Sequence, residues 1–555
     1  MIRYWRVGNF KSIKQGMGSL EFAPITIFAG VNSSGKSSVI QSIMLLMQTT
    51  AGVDDTTLQL NGELLSLGTV SDVWHNGVVA ARNTPVFLQY ALEIDDPTVD
   101  DGRFEFRFDF APVDGTEVEL HRATYRQTMS GESSGLAIEL RDLRYWLTAV
   151  DCELEDRIKT YLTQYGIQLS RPIKDSVAEI IGLFPNTVSL MADRVREDIN
   201  WDRAFLYPLD ERLTDEDFSL PIPEEYQKIL KKIAKKIGLP DVYERTQNNK
   251  ERMLIRYLGE YREWFDNLPN RFVGLLADYL LQELKDVLVT EAVPCRIPFI
   301  DTARSRFEDF FLQSVRYLSA NRIAPTIMFS PGATSQWSEV GVNGANIASA
   351  LDEHGSRAVL WYDPYELVKR ETTLLEAVAT WLKFFGIIED LSTTQSGKLG
   401  TLLTIRINGV DQDLDLTSVG FGTSQILPII VQGLLTPPGG VFIVEQPEVH
   451  LHPSVQAQLA LFFVALTRSS IQCIIETHSE QLVNQFRLFI SDRRVNIYDQ
   501  IRIYFAERHS TTGTYFREVE LDHRGNISNW PKGFMDESNR QAEEMLRAIL
   551  EEGEE

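Results

Sequence analysis

Cysteine is nearly absent: Cys152, Cys295 and Cys473 are the only three in 555 residues, they stand far apart, and no C-x-x-C pair occurs. That pattern argues against a disulfide framework and a cysteine zinc site, and it leads us to expect a reducing, cytoplasmic setting. Positive charge is scarce as well. Against 78 Asp and Glu stand 54 Lys and Arg, a formal net charge of −24. Such a surface repels nucleic acid, so any DNA or RNA contact is expected through a local basic patch or a partner. The densest basic run, Lys228 to Lys236, has helical spacing with Ile229, Leu230, Ile233 and Ile237 inward, and it reads as a solvated helix face. No apolar run approaches the length of a membrane span, and the first six residues lack the apolar core of a signal peptide, so neither a membrane partner nor export is expected. Internal repeats, low-complexity tracts and sustained heptads are also missing, which leaves a globular chain of several structural units.

The strand-like run Ile25-Thr-Ile-Phe-Ala29 is followed by Gly30-Val-Asn-Ser-Ser-Gly35-Lys36-Ser37, and then by the helix-like run Ser38 to Met47. This is G-x-x-x-x-G-K-[ST] between a strand and a helix, the context a phosphate-binding loop needs. Glycines let the backbone wrap an anion, while successive N–H groups and the helix N-terminus point at it. Lys36 adds a point charge for the β- and γ-phosphates, and Ser37 offers a hydroxyl to Mg²⁺. Asn32, Ser33, Ser34, Gly35, Lys36, Ser37 and Ser38 are therefore the candidate ATP-binding residues.

A second apolar run, Val441-Phe-Ile-Val444, ends in Glu445-Gln446-Pro447-Glu448, and a third, Ile471-Gln-Cys-Ile-Ile475, ends in Glu476-Thr477-His478-Ser479. Short, wholly apolar runs are the mark of central parallel strands, and polar residues at their carboxyl ends meet on one sheet edge. An acid there, Glu445, is placed to order Mg²⁺ beside a γ-phosphate. Between these runs and the phosphate loop, Thr417-Ser-Val-Gly-Phe-Gly-Thr-Ser-Gln425 opens an apolar helix and offers a second anion site. One nucleotide needs one cradle, so the second points to nucleotide shared between two subunits.

The remaining pattern divides the chain. Residues 1–150 read as half of an α/β lobe, with alternating strands between about 57 and 146 that form an antiparallel subdomain, their aromatics core-facing. Residues 151–312 read as a helical insertion, with helices expected at 151–165, 173–183, 224–237, 253–268 and 272–289. Residues 313–538 return to the lobe, with helices expected near 344–351, 364–378 and 381–385 and a hairpin about Gly409. An acidic tail follows at 539–555. Asn9, Lys11 and Ser12 end a strand beside the phosphate loop, where bordering a nucleotide and forming a plain turn are both open readings. For Arg322 the readings are approach to the nucleotide or a partner, or an ordinary ion-paired arginine. His450 and His452, two apart before Pro453, read as structural residues in preference to metal ligands.

In that order, Gly30 to Ser37, the Ser418/Gly420/Gly422/Gln425 stretch, Val441 to Pro453 and Glu476 to Ser479 resemble the Walker A, signature, Walker B with D-loop, and switch histidine of ABC-class ATPases. Asn9-Phe-Lys-Ser12 and the E-Q-P-E-x-H-L-H-P form resemble the RecF/SMC/OLD-like branch. Within it, the run from Glu520 to Asp536 resembles bacterial AAA_15/AAA_21-type ATPases with a DUF3696-like tail, several of which serve in anti-phage systems of Septu and PARIS type. The resemblance implies an ABC-type lobe, with a mixed sheet around the phosphate loop, and ATP and Mg²⁺ as cofactors. It also implies two ATP molecules sandwiched in a homodimer or higher homo-oligomer. Lys36, Glu445, Gln446, Glu448 and His478 would be catalytic, Ser37 and Glu445 would hold Mg²⁺, and Ser418 with Gly420 or Gly422 would close on the opposing γ-phosphate. The signature departs from S-G-G-Q, which leaves the contacting glycine open, and Gln59 is only a candidate for the Q-loop.

Most such ATPases carry glutamate where Gln446 stands. An amide orients water but cannot take its proton, so slow hydrolysis is expected. Glu448 either supplies the missing carboxylate or caps locally. The favoured expectation is an ATPase whose nucleotide-dependent dimerisation controls a separate effector, such as a nuclease, in anti-phage defence. The alternatives are a self-contained OLD-like nuclease, for which only Asp411-Gln-Asp413 and Asp413-Leu-Asp415 have D-x-D spacing, a RecF/SMC-type DNA repair or maintenance ATPase, and a nucleotide-gated scaffold with little turnover.

Overall fold

The computed structural model describes residues 1–14, 18–52, 56–75, 88–95, 102–113, 117–129, 132–141, 144–150, 154–156, 158–159, 168–169, 173, 176–181, 183–195, 288–295, 297–329, 337–395, 401–407, 412–509, 513–531, 541 and 544–545. Two compact units are present, one of Met1–Ala123, Gln127–Glu132 and Ala303–Glu555, the other of Thr124–Arg126 and Ser133–Thr302.

The first unit opens with β1 (Ile2–Gly8), β2 (Leu20–Glu21), β3 (Ile25–Gly30), α1 (Lys36–Ala51), α2 (Val70–Val73), β4 (Leu88–Asp95), β5 (Arg103–Pro112) and β6 (Val118–Met129). β1 pairs antiparallel with β2 and β4, β4 pairs with β5, and β6 lies beside β5. This is the expected antiparallel subdomain. In β5 the period of two buries Phe104, Phe106, Phe108 and Phe110 while Arg103 and Arg107 stay exposed. Phe106 and Phe108 pack edge-on against Phe307, with centroids 4.9 and 5.7 Å away, so the aromatic run is core.

The second unit contains β7 (Glu132–Arg141), β8 (Arg144–Val150), β9 (Gln168–Leu169), β10 (Val177–Ile181), β11 (Phe184–Val195) and β12 (Leu288–Cys295). They form an antiparallel sheet in the order β7-β8-β10-β11-β12, with β9 on β11. The expected helical insertion at 151–312 lies largely outside the described residues; the second unit takes in Thr124–Arg126 and Ser133–Thr302, and its described residues are mostly strand. The expected helix at 173–183 is in fact β10 and the turn into β11. Val177, Ile180 and Ile181 fit a helical stripe over one turn, but these β-branched residues pair antiparallel with β11 as a strand, an ambiguity that short apolar runs do not resolve by periodicity. At 288–289 the expected helix is likewise strand. Of the expected helix at 151–165, residues 154–156 and 158–159 are helical. The helices at 224–237 and 253–268, the basic run at 228–236 and most of the acidic tail lie outside the described residues.

After α3 (Pro298–Asp309) the chain continues through β13 (Val315–Leu318), β14 (Met328–Phe329), α4 (Ile347–His354), β15 (Ala358–Tyr362), β16 (Lys369–Thr373), α5 (Leu374–Phe384), β17 (Asp390–Gln395), β18 (Thr401–Arg406), β19 (Leu414–Asp415), α6 (Phe421–Leu435), β20 (Val441–Glu445), α7 (Pro453–Arg468), β21 (Gln472–Glu476), α8 (Glu480–Ser491), β22 (Ile501–His509) and β23 (Gly513–Glu518). The helix expected from 364 begins only at 374 and absorbs the one expected at 381–385. Asp363 accepts from the Tyr365 and Glu366 N–H groups to form a turn, β15 and β16 close a hairpin, and the Thr373 hydroxyl then caps α5 through the Glu376 N–H. The hairpin of β18 and β19 is present, joined on its other side by β17, which the sequence reading missed.

One six-stranded sheet organises this unit, in the order β13-β20-β21-β3-β22-β23, parallel except for β23. Its central strands are buried almost throughout, and Ile25, Ile27, Phe442, Val444, Cys473 and Ile475 lie in one core cluster with residues of α4 to α8. In register, Glu445 stands level with Glu476, and Glu476 with Phe28. Among the described residues no helix is long and apolar enough to cross a membrane.

Gln472 ties the first strand of the chain to this sheet. Its Oε1 accepts from the Ile2 N–H at 2.8 Å, and its Nε2 donates to the carbonyls of Ile2 and Ala23 at 2.9 and 3.0 Å, all buried. Gln472→Met keeps the volume but orphans three backbone groups, so we expect a loss of about 2–4 kcal/mol, read as a drop in the thermal unfolding midpoint. An unchanged midpoint would refute this role.

Candidate functional site

The ends of β3, β20 and β21 and the start of α1 enclose a cleft of about 520 Å³, lined by Lys11, Ser12, Asn32, Ser33, Gly35, Lys36, Ser37, Ser38, Asp72, Gln446, Glu476, His478 and Arg508. The loop from Gly30 to Gly35 is built as the motif requires. Gly30 has φ 145°, and a side chain there would sit 2.8 Å from the Ala506 carbonyl. Gly35 has φ 100°, and its missing Cβ leaves room for the hydroxyls of Ser12 and Thr514. The Thr514 hydroxyl donates to the Ser34 carbonyl at 2.7 Å, fixing the loop from the β23 side. Lys36 donates from Nζ to the Gly30 and Val31 carbonyls at 3.1 and 2.9 Å. Burial lowers its pKa, against the pull of Glu476 and Glu448.

Of the expected phosphate-binding residues, all line the cleft except Ser34, which is buried. Lys11 and Ser12 prove to border it. Lys11 Nζ donates to Gln41 Oε1 at 2.6 Å, the Ser12 and Ser38 hydroxyls are 3.2 Å apart, and the Lys11 carbonyl meets His75 Nδ1 at 2.9 Å.

The acids at the strand ends divide their tasks. Glu445 does not line the cleft; its carboxylate accepts from the Tyr317 hydroxyl and the Ala320 N–H, and burial with Glu476 alongside pushes its pKa up to about 7. Glu448 is buried and also off the cleft wall. Its Oε1 accepts from the His478 N–H at 2.6 Å, a local cap, while its Oε2 is buried with no hydrogen-bond partner. Glu476 does line the cleft and accepts from the Ser37 hydroxyl at 2.9 Å. The sequence reading had passed over it, although the rule that singled out Glu445, an acid ending an apolar parallel strand, applies to it equally. Gln446 lines the cleft in the left-handed region, with φ 42°, its N–H donating to the Glu476 carbonyl at 2.7 Å. His478 lines the cleft as an exposed side chain.

Arg322 settles as a positioning residue. It is 8% exposed, and its guanidinium donates to the carbonyls of Ser319, Glu445 and Gln446 at 3.1, 3.2 and 2.7 Å. Burial lowers its pKa to about 10 against the pull of Glu448 and Glu445. Arg508 and Asp72 are further cleft residues that the sequence reading missed; the alternation in Ile501 to Ala506 marks the strand that carries Arg508.

Away from the cleft, Ser418 and Gly420 are exposed at the start of α6, beside Phe421, which is 42% exposed. Gly420 is exposed, with open space where a side chain would be, whereas a Cβ at half-buried Gly422 would sit 3.0 Å from the His450 carbonyl, so Gly420 is the more accessible glycine. Gln425 is buried and donates to the Ile323 carbonyl at 3.3 Å. His452 caps α7 through the Ser454 N–H, and the His450 ring packs on Phe421. Gln59 sits against α1, its N–H donating to the Thr49 hydroxyl at 3.1 Å, and it does not line the cleft.

Residues 296–484 match the family model AAA_21, described as "AAA domain, putative AbiEii toxin, Type IV TA system", and residues 498–545 match DUF3696, a protein family of unknown function. No curated protein matches the chain. Among solved structures it is similar to the Smc head domain with an extended coiled coil bound to the C-terminal domain of ScpA from Pyrococcus furiosus, at 14% identity and TM-score 0.31, covering 99% of each chain. It is also similar to the SMC head domain from Thermotoga maritima, at 9% identity and TM-score 0.31, covering 94% of this chain and 99% of that one. The two family matches and the ordered motifs gathered on one sheet edge support an ABC-class ATPase, on a mixed α/β fold.

Arg322→Met should lower stability by about 3–5 kcal/mol, because it removes the buried guanidinium beside Glu445 and Glu448 and frees the strained Gln446 turn. Arg322→Lys, which keeps the charge without the fork, should fall between. Denaturant unfolding followed by tryptophan fluorescence reads both, and equal midpoints for all three proteins would disprove the role.

Proposed function

We propose that this chain binds Mg–ATP in the cleft, closes on a second copy of itself, and hydrolyses ATP slowly, so that the closed pair persists long enough to control a separate effector. The observation that carries the reading is Gln446, an amide with its backbone pinned on both sides, at the cleft position where a general base is needed. Its side chain can accept a hydrogen bond from a water and hold it in line, but it has no carboxylate to take the proton. The absence of a positioned base costs roughly 10²–10⁴-fold in rate. Glu448 lies off the cleft wall with one carboxylate oxygen on the His478 N–H, and the reading does not assign it the missing role.

The residues fit the ligands. A loop of backbone N–H groups at the N-terminus of α1, the Lys36 ammonium and the Ser37 hydroxyl suit a triphosphate and its metal, with Asn32, Ser33, Gly35 and Ser38 along the wall. Bound Mg²⁺ would neutralise charge on the β- and γ-phosphates. His478 lines the same cleft with an exposed side chain and would serve as the sensor of the terminal phosphate.

Closure on a second copy is supported by the exposed start of α6: Ser418, Gly420 and Phe421 stand free of their own cleft, and Gly420 offers an unobstructed backbone. Such a surface has a use if it completes a partner's nucleotide site, giving an isologous pair. Anti-phage defence is the setting we favour, with a nuclease among the effectors considered. The D-x-D reading loses ground because Asp413 pairs with Arg406 at 2.8 Å and Asp415 holds the Thr417 N–H at 2.7 Å, both inside the hairpin.

Steady-state phosphate release tests the reading. We expect slow wild-type turnover and a rise of roughly 10²-fold or more for Gln446→Glu; rapid wild-type turnover indifferent to that change would overturn it. Light scattering tests the pair: mass should rise with ATP and Mg²⁺, further in wild type than in Gln446→Glu, and a monomer under both conditions would exclude closure.

A further inference from the structure

Two carboxylates, Glu445 and Glu476, end neighbouring parallel strands at the same register. Only one of them faces the cleft. Glu445 spends its oxygens on the Tyr317 hydroxyl and the Ala320 N–H, whereas Glu476 forms part of the cleft wall beside Lys36 and Ser37. One oxygen of Glu476 accepts the Ser37 proton at 2.9 Å. The other, Oε2, is buried and has no hydrogen-bond partner, in a side chain only 2% exposed. An orphaned carboxylate oxygen is costly unless something else meets it.

The Ser37 hydroxyl has one proton and two lone pairs. With the proton held by Glu476, both lone pairs are left for a cation, and Glu476 Oε2 is available to the same cation or to its water. Mg²⁺ takes few protein ligands and often one or two carboxylates together with nucleotide phosphates, which suits this sparse donor set. Resting on the nucleotide reading of the cleft, we infer that Glu476, in place of Glu445, is the carboxylate through which the chain holds the metal of Mg–ATP, orienting Ser37 with one oxygen and meeting the metal or its water with the other. Glu445 is then a positioning residue that anchors the end of β20 to Tyr317 and Ala320.

A purely structural Glu476, needed only as an acceptor for Ser37, would be replaced without loss by glutamine. The test is Mn²⁺ binding by electron paramagnetic resonance in the presence of a non-hydrolysable imido analogue of ATP, alongside binding of that analogue in EDTA. Glu476→Gln should weaken Mn²⁺ binding roughly 10–100-fold. In EDTA it should bind the analogue as well as wild type or better, since a negative charge has left the phosphate site. Glu445→Gln should move the Mn²⁺ constant less. A wild-type Mn²⁺ constant in Glu476→Gln, or a larger effect at Glu445, overturns the assignment. If Glu476→Gln does not fold, Glu476→Asp, which keeps the charge one methylene further back, should weaken Mn²⁺ in the same direction, and an unchanged constant there overturns it equally. Failure of the wild-type protein to bind the analogue with or without metal would instead remove the nucleotide reading itself, a distinguishable result.

Discussion

Parallel pairing in register sets two glutamates side by side at the closed end of an apolar sheet, and much of the surrounding chemistry answers that placement. Glu445 and Glu476 are neighbours whose pKa values are both raised, first by desolvation, then by Glu476 at Glu445 and by Glu448 at Glu476. Neither can be left without compensation. Tyr317 and Ala320 serve one, Ser37 and Lys36 the other, and Arg322 lies where its charge reaches Glu445 and Glu448 while its donors hold the turn after β20. A phosphate-binding loop brought against this edge therefore finds its lysine, its hydroxyl and its acids already arranged around one cleft.

The parts of this site that could be read from the sequence are those whose chemistry is local. Gly30, Gly35, Lys36 and Ser37 declare themselves by spacing, because the loop geometry allows few residue types at each position. The apolar runs before Glu445 and Glu476 likewise declare central strands, and the alternating phenylalanines of β5 declare an inward face. What was not legible depends on partners far apart in the chain. That Glu476, and not Glu445, meets Ser37 follows from sheet order, which places β21 between β20 and β3. That Arg322 reaches the carbonyls of Glu445 and Gln446 follows from a contact across 123 residues. The helical reading of 173–183 failed for a different reason: a short run with Val177, Ile180 and Ile181 satisfies both periods, and tertiary pairing with β11 decides it. At 364–378 a single turn made by Asp363 and the cap at Thr373 outweighed a helical pattern that began too early.

Function follows from an asymmetry within the cleft. On the proposed reading, Lys36, Ser37 and Glu476 would serve phosphate and metal, while the residue proposed for the water-activating position is an amide held in a strained backbone conformation by its neighbours on both sides. Strain of that kind costs on the order of 1–3 kcal/mol and persists only where surrounding contacts enforce it. A site that binds well and turns over slowly favours a long-lived bound state, which suits a switch better than a motor. The exposed start of α6 gives such a state a surface on which to act.

The account stands on ATP being held by Lys36 in this cleft, and isothermal titration calorimetry with a non-hydrolysable ATP analogue addresses that directly. Wild type should bind with a single saturable heat. Lys36→Ala, at equal folded fraction by circular dichroism, should lose roughly 10–100-fold in affinity or fall below detection, since a charge-assisted contact to phosphate is removed. Equal affinity in the two proteins would mean that the Gly30 to Ser37 loop is a structural turn and that the nucleotide site has been misassigned.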